Sequence, residues 1–106
     1  MSTPADRILH HLGGVDFLVK STAYKFEYAR SNGLSFHQHA IFKSARNPNG
    51  VGFVVVEEWS GLYELVLHKR RNRWAPWEPF AVHPYLSPAE LRQVYAELAC
   101  TTLLPV

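Results

Sequence analysis

The residues of this chain best suited to gripping a ligand lie together in His68-Lys69-Arg70-Arg71-Asn72-Arg73-Trp74-Ala75-Pro76-Trp77. Guanidinium groups fit phosphate oxygens two at a time, and tryptophan faces stack on unpaired bases. Lys69, Arg70, Arg71, Arg73, Trp74 and Trp77 are therefore the candidate binding residues. The sequence leaves three uses for them open. They can hold single-stranded nucleic acid, anchor a protein interface in which Trp and Arg are frequent hot spots, or form a charged hairpin tip whose tryptophans cover a small core. The net charge is only +2, from 11 basic and 9 acidic residues. Four of the basic residues fall within positions 69–73, and the rest of the chain is net acidic. Any phosphate-binding face is thus local to this segment.

Other chemistries find less support. Six histidines are present, and His37 and His39 at i, i+2 would share one face of a strand, able to ligate a metal from one side. Completing a site would take His10, His11, His68, His83 or an acid, and no recognised ligand spacing selects one, so no metal or other cofactor is expected. The competing reading is a polar strand face carrying surface histidines. Cys100 is the only cysteine, which excludes an intramolecular disulfide and any zinc site with two thiolates. It follows the apolar stripe of the last helix and reads as a buried, inert thiol. Ser60 and Ser87 lack the G-x-S-x-G setting of a nucleophile, and Glu57 and Glu58 point to opposite sides of a strand. With no glycine-rich phosphate loop either, the expectation is a protein that is not an enzyme.

Two helices must frame whatever these residues do. Thr3 is an N-cap candidate, Pro4 suits the first helical position, and Asp6 stands three residues after the cap. Ile8, Leu9 and Leu12 make the apolar face, and Gly13-Gly14 ends the helix. Ser87-Pro88-Ala89-Glu90 is a capping box, with Leu86 and Leu91 in the staple positions. Leu91, Val94, Tyr95 and Leu98 form a core stripe, which predicts a helix from Pro88 to Cys100.

Strand patterns fill the interval. Val15, Phe17 and Val19 alternate with Asp16 and Lys20, and Tyr24, Phe26 and Tyr28 alternate with Lys25 and Glu27, the aromatic rings being expected on the inner face with Lys25 and Glu27 outward. Ser31-Asn32-Gly33 is a turn before Leu34-Ser35-Phe36, and Arg46 to Gly50 is a loop. Val51 to Val56 reads as a central strand, or as an edge that pairs across a homodimer. Ser60-Gly61 suits a two-residue turn into Leu62 to Lys69. Trp74 to Pro79 is an excursion, and Phe80 to Val82 is a short strand placed at an edge by its flanking prolines. The 106 residues thus predict one α+β domain. An antiparallel meander of about five or six short strands carries a short N-terminal helix and a C-terminal helix on one face. The other face must be sheltered by something else or left as a binding surface, and the loop carrying Arg70, Arg71, Arg73, Trp74 and Trp77 is expected to form the main contact site, with Trp74 or Trp77 at least partly exposed.

The order of motifs resembles a family of small proteins encoded by bacteriophages and plasmids. Its pattern is matched by Leu12, Gly13, Gly14 and Phe17; by Ala23 and Phe26; by Asn32, Leu34, Ser35 and Phe36; by Val54 and Val56; and by Leu62, Tyr63, Leu91, Val94 and Tyr95. Thr22, Tyr24 and Gly61 depart from it, and the stretches from Gln38 to Asn49 and Arg70 to Pro79 are longer here. The resemblance implies a mobile-element origin and transfers no catalytic residue. The function expected is a non-enzymatic binding module acting on a host protein or protein–nucleic acid complex, an inhibitor of a host defence system being one form. The alternative is a module that binds single-stranded nucleic acid through residues 69–77. No basic start followed by an apolar stretch opens the chain, and no apolar run reaches the ~20 residues of a membrane helix, so a cytoplasmic location is expected.

Overall fold

Thr3 starts the first helix as its side chain predicts. Its hydroxyl accepts from the Asp6 amide at 3.1 Å, and the Asp6 carboxylate accepts from the Thr3 amide at 3.3 Å. In the computed structural model, which describes residues 3–20, 23–38, 51–72 and 74–99, helix α1 runs Pro4–His11. It stops because Gly13 and Gly14 take φ of 123° and 90°, a region L side chains avoid, while the Gly14 amide donates back to the Leu9 carbonyl. Helix α2 (Val15–Lys20) follows, then strands β1 (Ala23–Ala29), β2 (Gly33–Gln38), β3 (Phe53–Trp59), β4 (Leu62–Lys69) and β5 (Glu78–Leu86), and helix α3 (Pro88–Ala99). The strands form one antiparallel sheet in the order β1-β2-β3-β4-β5, so the fold is α+β. Cys100 and the loop from Arg46 to Gly50 lie outside the described residues.

Three sequence expectations are corrected. Val15 to Lys20 is a helix, not a strand: the supposed alternation ignored Leu18, which is fully buried while Val15 is 48% exposed. Burial of Leu18 requires helical spacing, and the glycine turn before it releases the chain to coil again. Tyr24, Phe26 and Tyr28 do not share an inner face. The β1–β2 register shifts between Tyr24 and Glu27, where Lys25 takes a φ of 57°, and this bulge sends Tyr24 to the side opposite Phe26. Phe26 meets Phe36 on the helix side, and Tyr28 is 73% exposed at the sheet edge. Finally, the Val51–Val56 segment cannot pair across a dimer as an edge. β3 starts at Phe53 and is bonded on both sides, to β2 and to β4.

The core lies between one sheet face and the helices. Phe36, Val54, Val56, Leu65 and Leu67 alternate inward from β2, β3 and β4, and meet Ile8, Leu12, Leu18, Leu91 and Tyr95 from the helices. Each such side chain contributes about 1.5–3 kcal/mol through burial. The Ser87–Glu90 capping box starts α3, with hydrogen bonds of 3.1 and 3.3 Å. Arg7 fastens α1 to the sheet by donating Nε and Nη2 to the Glu58 carboxylate at 3.0 and 2.7 Å. Beside that pair, His11 Nδ1 and the buried Tyr63 hydroxyl share a hydrogen bond of 2.8 Å. The opposite sheet face carries none of these helices.

Candidate functional site

Residues directly opposite across antiparallel strands share a face, so the register maps the helix-free side. One line of partners crosses the whole sheet: Tyr24 with His37, His37 with Phe53, Phe53 with His68, and His68 with Pro79. Their rings touch in sequence. Centroids are 5.7 Å apart for Tyr24 and His37, 4.9 Å for His37 and Phe53, and 5.3 Å for Phe53 and His68. Trp77, arriving from the excursion before β5, stacks on Phe53 at 6.0 Å and 24° and meets His37 edge-on at 5.9 Å. The Arg70 guanidinium lies 4.1 Å over the Trp77 ring, a cation–π contact that holds both in place.

The structure divides the sequence-predicted set between two sides. Alternation along β4 puts Lys69 on the helix side, where its ammonium sits 4.9 Å over the Phe80 ring. Arg70 turns to the ring row. Arg71 is exposed at the tip, and Arg73 lies outside the described residues. Trp74 is held outward by an Asx turn, in which its amide and that of Ala75 donate to Asn72 Oδ1 at 2.9 and 3.0 Å. It is 84% exposed, whereas Trp77 is half-buried. The expected exposure of Trp74 or Trp77 is therefore present.

Charge is unequal along this face. At the ring-row end, burial pushes the His37 imidazole below its ordinary value, and Lys25 pushes it further; Glu27 opposes them and Arg70 adds to the lowering. Burial likewise lowers His68, against its hydrogen bond of 3.3 Å with the Phe53 carbonyl. Both rings thus favour the neutral form near pH 7, and His37 has Lys25 and Arg70 as cationic neighbours and Glu27 as an anionic one. Next along the strands on this face, Val55, Val66 and Val82 form an apolar middle. Beyond it Glu57 and Glu64 face each other, Glu57 having Arg30 at 3.9 Å. Exposed Trp59, Leu62 and Tyr85 line a groove of about 310 Å³ at that acidic end.

Among the described residues, no group of three or more His, Cys, Asp or Glu side chains comes together in a way that could hold a metal. His37 is engaged by aromatic neighbours, and His39 lies outside the described residues. Glu57 and Glu58 do point to opposite sides, one toward Arg30 and the other to Arg7. No helix among the described residues is long and apolar enough to cross a membrane. Sequence reasoning missed Tyr24, Phe53 and His68 as parts of one surface. A usable signal existed for two of them, because the tight Ser60-Gly61 turn that pairs Trp59 with Leu62 also places Phe53 opposite His68. Compared with protein-family models, curated proteins and solved structures, the chain matches none.

Proposed function

We propose that this protein is a small non-enzymatic binding module that engages a macromolecule through the Lys69–Trp77 segment. The observation that carries the reading is Trp74, 84% exposed on a turn built to present it, beside exposed Arg71. An indole buries some 150–250 Å² when packed, so leaving one in water is costly unless a partner covers it. Tryptophan and arginine are also the side chains on which interface energy concentrates. Within the mobile-element setting that the resemblance implies, the target is a host macromolecule, and inhibition of a defence system is one form the activity would take.

The test is affinity capture from bacterial lysates, with and without nuclease treatment, using the full chain and a Trp74→Ala/Arg71→Ala variant. The unaltered chain should retain a stoichiometric partner that the variant loses. Equal retention by both chains, or no stoichiometric partner across several hosts, would count against the segment as the contact surface.

A further inference from the structure

We infer that the ring row of Tyr24, His37, Phe53, His68 and Trp77 is a stacking platform for single-stranded nucleic acid, running across the β-strands with Lys25 and Arg70 at its flanks. The inference rests on the reading of residues 69–77 as a contact surface and names the class of its target. Four observations support it. Rings from four neighbouring strands and the excursion meet on one face at 4.9–6.0 Å, and among the described residues the helices pack on the other face. They are not sealed in: Tyr24 is 43% exposed, and His37, Phe53, His68 and Trp77 are half-buried. Their two cations supply the phosphate contacts that dominate such binding, and Arg70 already lies against a ring. The acidic pair Glu57 and Glu64, at the far end of the face, disfavours a polyanion there and confines it to the row.

The geometry also selects the form of nucleic acid. Adjacent strands lie about 4.8 Å apart, so Tyr24 to His68 spans roughly 14 Å, room for two or three splayed bases. Stacking on such rings needs exposed base faces, which a single strand offers and a duplex keeps inside its helix. Strand addition by a peptide is not available at the row's centre, because β2, β3 and β4 are bonded on both sides.

The test is fluorescence anisotropy of the full chain with labelled twelve-nucleotide oligothymidylate, oligouridylate and a duplex of equal length, starting near 50 mM salt. The single strands should bind at least about tenfold more tightly than the duplex, with a log–log salt slope near −1.4 for two phosphate contacts. Tyr24→Leu and Trp77→Leu should each weaken single-strand binding about tenfold without changing that slope, and Lys25→Gln with Arg70→Gln should flatten it. Tyr24 lies on an edge strand, so its variant should keep the urea midpoint of the parent; His37→Leu provides a second ring deletion. Binding that weakens in Trp74→Ala but not in the Tyr24 and His37 variants would overturn the platform and leave the segment as contact surface. Absence of single-strand binding, or equal affinity for the duplex, would overturn the platform as well; partner capture that depends on Trp74 would then still uphold the segment.

Discussion

Two tryptophans three residues apart have opposite duties. Trp77 closes a stack with Phe53 and receives the Arg70 guanidinium, whereas Trp74 stands in solvent on an Asx turn. Replacing an exposed side chain changes stability by no more than about 0.5 kcal/mol, while removing a half-buried aromatic and its cation costs about 1–3 kcal/mol. Trp74→Ala should therefore leave the urea midpoint unchanged, and Trp77→Ala should lower it clearly. A similar loss in both variants would make Trp74 a packing residue and remove the reason for reading it as a contact. Before folding, the two tryptophans are equivalent members of one basic, aromatic run. What separates them is which one the chain reversal before β5 lays back on the sheet.

Strand β2 begins at a residue whose identity is set by space. A Cβ on Gly33 would stand 2.6 Å from the Ala29 carbonyl oxygen and 2.8 Å from that of Val56, both backbone atoms that move only if the sheet moves. Gly61 is the converse: nothing lies within 4 Å, but φ is 83° in the hairpin turn between β3 and β4. Gly33→Ala should thus cost more than about 2 kcal/mol and Gly61→Ala nearer 1 kcal/mol, read from chemical denaturation. The reverse order would show that β1 and β3 can part cheaply at Gly33. The β1 bulge has a comparable consequence for function, since without the turn at Lys25 the Tyr24 ring would fall on the helix side and the row would lose its first member.

Over the whole molecule, acid should weaken the fold in two stages. Burial lowers His37 and His68 below the ordinary 6.5, so the folded protein holds their neutral forms in preference to the protonated ones. Their contribution is present above pH 6.5 and declines as pH falls from there through the lowered values, because the unfolded chain takes up protons first. The hydrogen bond from Arg7 lowers Glu58 below its ordinary 4.5, so the pair joining α1 to the sheet contributes above that pH and is lost beneath it. Urea midpoints should be level between pH 7 and 8, fall below about 6.5, and fall again below about 4.5. Substituting glutamine for His37 and His68 together should remove the first decline and keep the second. A midpoint that rises between pH 7 and 5.5 would contradict the burial of both rings.

Local chemistry determined much of this architecture in advance. Both capping boxes, the glycine stop after α1, the Ser60-Gly61 turn and the edge position of β5 each follow from side chains within a few residues of one another, and each is present. The face alternation of β3 and β4 was equally legible, because one tight turn sets the register of both strands. Tertiary structure decided what depends on distant partners. Val15 to Lys20 alternates except at Leu18, and the burial of that residue goes with the helix. His37 and Phe53 belong to strands far apart in sequence, so their meeting had no local signal. Lys69 and Arg70, adjacent in sequence, parted because strand alternation and two different rings drew them to opposite sides. The binding residues of the segment were therefore readable as a composition. Their assembly with Tyr24, His37 and Phe53 into one surface was decided by strand pairing, which joins residues that no short-range interaction relates.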